Sequence, residues 1–284
     1  MNRKLIPPCS YQGGKQRLAK QIVDIIYKEN EINENTKFYD LCCGSGAISI
    51  EMINRGFYDS NITMVDASPW GLFYQGVGDL TFSTDVFKTY IDDIPKDIKK
   101  IKNYAETMLK LPANDGLFNN MVYKFLILQA CAFGSTATWV ENNKWKKAGG
   151  LRNYWLPTET SNRKSPVNPM MPMPNTLYER VENICANMDN VKGLYGKVEE
   201  VVIEPNSIVY IDPPYKNTQD YGYELDIEKY INKIKNIDGV KIYISEGYKI
   251  NGCKESVLLS KGRDKGNING KRNKKPIEEW LNII

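Results

Sequence analysis

The chain has 284 residues, 42% of them apolar and 25% charged, with a mean hydropathy of -0.47, a composition able to bury the core of one large domain or two small ones. Its net charge is a modest +4, and its longest mainly apolar stretch, Phe125 to Phe133, is broken by Gln129 and falls short of the roughly 18 residues of a membrane span. The count of zero histidines excludes most: Ser-His triads, Cys-His dyads, His-ligated zinc and imidazole acid-base chemistry all fall away, leaving carboxylates, lysines, tyrosines and backbone groups.

The start, Met1 to Pro8, runs into two prolines without an apolar signal region, so secretion by signal peptide is not expected. From Lys15 the spacing of Leu18, Ile22, Ile25 and Ile26 predicts a helix with one apolar face. Lys37 to Leu41 reads as a short strand that ends in Cys42, Cys43, Gly44, Ser45 and Gly46, and helical composition resumes over Ala47 to Ile53. Asn61 to Val65 is a second strand closing at Asp66.

From about Gly76 to Asn175 the pattern changes to lysine-rich helical segments, an aromatic cluster and a proline-rich run, Pro166 to Pro174, that cannot build a sheet core. An insert over residues 76–189 is expected, leaving 1–75 and 190–284 as the parent domain. Thr176 and Glu179 form a T-x-x-E pattern expected to cap a helix whose apolar face carries Leu177, Val181, Ile184, Cys185 and Met188. Strand-like runs return at Lys192 to Tyr195, Ser207 to Ile211, Val240 to Ile244 and Ser256 to Leu259. Alternating strands and helices predict an α/β fold, a Rossmann-like, mainly parallel, doubly wound sheet interrupted by the mainly helical insert. The six cysteines show no C-x-x-C spacing, so reduced thiols, a cytoplasmic protein and no metal site are expected.

Charge is unevenly placed. Residues 144–164 hold six basic residues against Glu159, and residues 249–275 hold nine against Glu255 and Asp264. Trp139, Trp145, Tyr154 and Trp155 lie among or beside Lys144, Lys146, Lys147 and Arg152, where stacking and phosphate contacts could cooperate on a nucleic acid; two solvated lysine-rich loops would have the same composition. Lys146 and Lys147 are the candidate phosphate contacts. Arg152 is the candidate base reader, because its planar fork can grip guanine at two points.

Gly44 and Gly46 after the first strand let backbone approach a nucleotide closely, and Asp66, 20 residues beyond Gly46, is placed to accept ribose hydroxyls. A plain tight turn followed by a strand-end aspartate would look the same. Ser49 stands where a dinucleotide fingerprint has its third glycine, which favours a nucleoside-type ligand without a pyrophosphate. The sharper signal is Asp212, Pro213, Pro214, Tyr215 after the apolar strand Ile208 to Ile211. Two prolines fix a rigid turn at the carboxyl end of a strand, where ligands bind in open α/β sheets. The Asp212 carboxylate and the Pro213 carbonyl can then hold both N–H bonds of an exocyclic amine, freeing its lone pair for an electrophile, while Tyr215 offers a flat face to the base.

These residues resemble the Dam-like (alpha-class) DNA adenine-specific N6-methyltransferase family, which uses S-adenosylmethionine. The resemblance covers Tyr11-Gln12-Gly13-Gly14-Lys15, the Asp40 to Gly46 loop, Asp66, Asp212 to Tyr215 and Ser245-Glu246 after a later strand, in the family's order. It implies cofactor contacts from Tyr11, Lys15, Asp40, Gly44, Gly46, Asp66 and Asp212. It further implies a catalytic group of Asp212, Pro213 and Tyr215 around a flipped adenine in double-stranded DNA, and a target-recognition role for the insert. Three departures stand out: Cys42 where the family commonly has phenylalanine, Gly196-Lys197 where it has a G-D pair, and Ser10 where GATC-specific members have lysine. No recognition site follows from the sequence. An amino-methyltransferase acting on cytosine or RNA, and a DNA-binding protein with a decayed methyltransferase site, are the alternatives; a nicotinamide dehydrogenase is disfavoured by Ser49 and by the Asp212 motif.

Overall fold

The computed structural model describes residues 4–116, 120–153, 159–160, 172–214, 225–261 and 278–284. The first helix, α1 (Ala19–Glu29), starts four residues later than its apolar spacing suggests, because the Lys15 carbonyl accepts from the Leu18 and Ala19 amides in a preceding turn. Strand β1 (Phe38–Leu41), helix α2 (Ala47–Asn54) and strand β2 (Ile62–Asp66) follow, within a residue of their expected bounds. Ser68 caps α3 (Pro69–Gly78), accepting from the Trp70 amide, with Pro69 pre-set for the first helical turn. Helix α3 carries the chain through residue 76, the expected boundary of the insert, and packs against the sheet.

The next stretch is built from α4 (Thr84–Asp92), α5 (Ile101–Met108), α6 (Asn120–Ala130), an antiparallel hairpin of β3 (Thr138–Glu141) and β4 (Lys144–Lys147), and α7 (Pro174–Cys185). The helices here were expected; the hairpin was not. Thr176 and Glu179 do not cap α7, which begins earlier, at Pro174, with no side-chain cap: the proline's fixed φ and missing N–H suit the first helical position. One apolar cluster runs continuously from α1 and α2 through α3, α6 and α7, so this stretch shares its core with one face of the sheet.

The chain then completes the sheet with β5 (Lys192–Tyr195), β6 (Ile208–Ile211), α8 (Ile227–Ile234), β7 (Lys241–Glu246), β8 (Glu255–Ser260) and β9 (Glu279–Ile283). The result is a mixed α/β fold whose seven strands lie in the order β5-β2-β1-β6-β7-β9-β8, compatible with a Rossmann-like fold. The first five of these run parallel, whereas β9 is antiparallel to both β7 and β8. Ser245 and Glu246 close β7 rather than following it.

Side chains alternate between the two faces, as period-2 strands covered on both sides require. Phe38, Met64, Ile208, Tyr210 and Tyr243 join the cluster beneath α1 to α3, while Tyr39, Leu41, Val65, Val209, Ile211, Ile242 and Ile244 pack beneath α8. Strand order reverses between β1 and β6, which places a crevice beyond their carboxyl ends. Among the described residues no helix is long and apolar enough to cross a membrane.

Candidate active site

Beyond β1 the chain turns sharply, with Cys42, Gly44 and Gly46 all in the left-handed region at φ of 60°, 50° and 75°. A Cβ on Gly44 would sit 3.1 Å from the Tyr11 ring, so this glycine lets the N-terminal loop close over the turn. Gly46 serves packing instead: a Cβ there would overlap the hydroxyl of Tyr74, which donates to the Ser45 carbonyl at 2.7 Å. Asp40, inside β1 and 1% exposed, accepts from the Ser49 hydroxyl at 2.6 Å and the Ser49 amide at 3.2 Å, tying the strand to the first turn of α2. Ser49 thus has a positive role where a dinucleotide site would have glycine. Burial pushes the Asp40 carboxyl up to about 7, against the lowering effect of Ser49.

Asp66 ends β2 with one oxygen accepting from the Gly44 amide at 2.7 Å and the other from the Ser68 amide at 2.8 Å. A carboxylate has about four lone-pair sites, and the Ser68 hydroxyl acts on Asp66 beside the two amides, so about one site is left for a further donor. Burial raises its pKa above the ordinary range. Asp212 leaves β6 with its amide donating to the Leu41 carbonyl, 3.1 Å away, which registers the two strand ends.

The buried Lys15 ammonium, 4% exposed, reaches the Gly13 carbonyl at 2.8 Å, Asp212 Oδ1 at 2.6 Å and Glu279 Oε1 at 3.4 Å. Burial alone would lower the lysine's pKa, but the two carboxylates reverse that and hold it above the ordinary value. Asp212 is pushed up to about 6: burial raises it, Lys15 lowers it, and Glu279 and Asp66 add to the rise.

A cavity of about 390 Å³ opens over these strand ends, the size of a small-ligand site. Tyr11, Lys15, Asp40, Gly44, Asp66, Asp212 and Pro213 all line it; Gly46 lies outside the lining, and Tyr215 lies outside the described residues. Cys42 and Lys197, two of the departures from the family pattern, line it as well. So do Ser68, Glu199 and Tyr210, which sequence reasoning missed. Ser245 shares a 2.7 Å hydrogen bond with the Tyr210 hydroxyl, while Glu246, 1% exposed, accepts from the Gly247 amide and is driven up to about 7 chiefly by burial. Glu279 had no local signal, since its partner Lys15 stands at the other end of the chain.

The basic residues divide differently from expectation. Lys146 and Lys147 are exposed on β4, Lys146 lying 3.7 Å from Glu141 and Lys147 donating to the Gly149 carbonyl at 2.6 Å. Arg152 is buried rather than exposed with the lysines. It is 5% exposed, its guanidinium donates to the Pro172 carbonyl at 2.6 Å, and its backbone amide bonds to Cys131, so it joins the end of α6 to the entry of α7. Trp145 is also buried, packed under the hairpin, because its strand position faces the core while Lys144 and Lys146 face out. Tyr154 and Trp155 lie outside the described residues. No protein-family model matches the chain, and no curated protein matches it.

Proposed function

We propose that the chain is a site-specific DNA adenine N6-methyltransferase that uses S-adenosylmethionine. The observation that carries this reading is the convergence on one 390 Å³ cavity of Tyr11 and Lys15 from the N-terminal loop, Asp66 from β2, and Asp212 and Pro213 from the end of β6. The residue types suit the cofactor. Asp66 retains acceptor capacity for a ribose hydroxyl, the close seating of Tyr11 on Gly44 supplies a flat wall, and the surplus of carboxylates over Lys15 suits a cationic ligand. When bound, the cofactor supplies the reactive methyl carbon.

The chain's own residues supply position and electrostatics. Asp212 Oδ1 is engaged by Lys15, which leaves its second oxygen as an acceptor for an adenine amine, and the rigid Pro213-Pro214 turn fixes the carbonyl that would take the other N–H. Counted along the sheet, β5-β2-β1-β6-β7 repeats the first five places of the dinucleotide order, and the departure is confined to the edge, where an antiparallel β9 takes the sixth place.

Residues 76–189 would form the target-recognition insert. The hairpin supports that role with a two-residue Asn142-Asn143 turn, both φ positive, held rigidly by bonds between Asn143 and Asn114, and with Lys144 and Lys146 turned outward beside Trp139. Phe133, 59% exposed next to left-handed Gly134 and Ser135, is an aromatic free to stack on a base near the Ser10 loop, which Ser135 touches. The test is expression in a host lacking adenine methylation, with digestion of its DNA and mass spectrometry, paired with calorimetry of the purified chain and S-adenosylmethionine. N6-methyladenine together with cofactor binding is expected. N4-methylcytosine, methylated RNA or the absence of any product would overturn the adenine assignment, and loss of cofactor binding as well would point to a decayed site.

A further inference from the structure

We propose that Glu279 is a positioning residue for Asp212: it holds one side of the Lys15 ammonium so that the cation engages a single oxygen of Asp212 and the three side chains together keep a net negative charge toward the amine they receive. This rests on the methyltransferase reading above. An ammonium has three N–H donors, and among the described residues Lys15 is faced by the Gly13 carbonyl, Asp212 Oδ1 and Glu279 Oε1. Of the two Asp212 oxygens, Oδ1 is the one that Lys15 reaches. The charges count the same way. Lys15 facing Asp212 alone would make a neutral pair, whereas with Glu279 the trio carries one net negative charge, and side chains only 4%, 17% and 16% exposed are poorly screened by water.

The topology explains how a residue from the chain's far end arrives there. Parallel strands deliver their last residues to the carboxyl edge of the sheet, but an antiparallel strand delivers its first. In β9, Trp280 pairs with Glu246 at the end of β7, so Glu279 lies level with the edge where the cavity opens. The reaction needs that negative charge. The amine nitrogen forms a bond to the methyl carbon as the carbon–sulfur bond breaks and its electron pair stays on sulfur. The nitrogen carries a positive charge until its surplus proton passes to Asp212 or to solvent. Asp40, Cys42, Asp66, Glu246 and Tyr210 also act on Asp212, and all are acids, so among the described residues Lys15 is the cation whose placement decides how much of the Asp212 charge is cancelled.

The experiment compares wild type with Glu279→Gln and Glu279→Asp in three measurements: turnover on DNA across pH, cofactor affinity by calorimetry, and titration of the Asp212 carboxyl by carbon-13 NMR in the free protein. For Glu279→Gln we expect cofactor affinity within about threefold, turnover lowered by about 10- to 100-fold, and an acid limb displaced to lower pH, since the charge removed was raising the Asp212 pKa. Glu279→Asp keeps the charge and recovers part of both effects. Turnover within twofold of wild type, or reduced turnover with an unmoved acid limb, would overturn the assignment. The NMR titration separates the two hypotheses. An inactive wild type would sink the methyltransferase reading while a lowered Asp212 pKa in Glu279→Gln still upheld the coupling, and an unchanged Asp212 titration would sink the role of Glu279 even in an active enzyme.

Discussion

The carboxyl edge of the parallel strands and the β3–β4 hairpin use charge in opposite ways. At the sheet edge Asp40, Asp66 and Glu246 are at most 9% exposed, each held by backbone or hydroxyl donors, and Asp212 shares the nearly inaccessible Lys15. On the hairpin, Lys144, Lys146 and Lys147 stand in solvent on β4, which follows the Asn142-Asn143 turn. Poorly screened charges act through position, so removing one should change chemistry or stability sharply. Solvated charges act through number and salt-sensitive attraction, so removing one should change affinity a little, and on every sequence alike. Mutating each region in turn can break or sharpen this contrast.

The largest effect is expected at Asp212. If Asp212 accepts the amine as proposed, Asp212→Ala should lower methyl transfer by about 100- to 1,000-fold, the usual consequence of deleting one preorganised electrostatic group. DNA affinity should stay within a few-fold. Wild-type activity should itself fall on the acid side of about pH 6 as the Asp212 carboxyl takes up a proton. Retention of a tenth of wild-type turnover by Asp212→Ala in a single-turnover assay would show that the edge is not the reacting centre.

Asp66→Ala comes next. On the proposed reading it removes charge-assisted hydrogen bonding to a ribose, worth about 1.5 to 3 kcal/mol per bond, and it also frees the Gly44 and Ser68 amides that Asp66 now holds. S-adenosylmethionine affinity by calorimetry should therefore drop by more than tenfold, accompanied by a lower melting temperature. An unchanged dissociation constant would leave Asp66 as a turn-holder alone.

A smaller effect concerns stability and pH at Asp40. Its carboxyl rises from an ordinary 3.8 to about 7 on folding, chiefly through burial, so between those values the folded state binds a proton that the unfolded state has released. The sign is therefore a stability that is greatest at low pH and declines as pH rises from about 4 toward 7. Asp40→Asn keeps an acceptor for Ser49 without the charge, and its melting temperature should decline less over that range. A decline equal to wild type, followed by calorimetric scanning, would place the pH dependence on other groups.

The two regions also differ in how far they were legible beforehand. Strand-end motifs announce themselves because glycine, proline and aspartate at fixed spacing constrain the backbone locally: Gly44, Asp66 and Asp212 were all picked out, and all line the cavity. Glu279 was invisible, because its relation to Lys15 exists only once an antiparallel strand closes the sheet. Composition misled in the basic stretch. Arg152 and Trp145 sit among lysines in the sequence, but burial depends on which way a strand or turn faces, and both point inward. The hairpin itself was missed because its strands are four residues long and its turn is Asn-Asn rather than Asn-Gly.

The smallest single effects are expected on the hairpin, and they separate Arg152 from its lysine neighbours. Lys146→Ala and Lys147→Ala should each weaken DNA binding modestly and equally across sequences, flattening the salt dependence by about one unit for each phosphate that is no longer neutralised. Neither should move the melting temperature, because both ammonium groups are exposed and surface pairs such as that of Lys146 with Glu141 contribute little. Arg152→Ala should do the reverse: it strips the Pro172 carbonyl of a buried charge-assisted donor and should lower the melting temperature while leaving site preference intact. Methylation across a library of sites, measured beside thermal unfolding for all three variants, checks the division. A changed site preference for Arg152→Ala with undiminished stability would mean that this side chain reads bases after all, and that the contrast between a buried, positional region and an exposed, additive one fails at the point where the two adjoin.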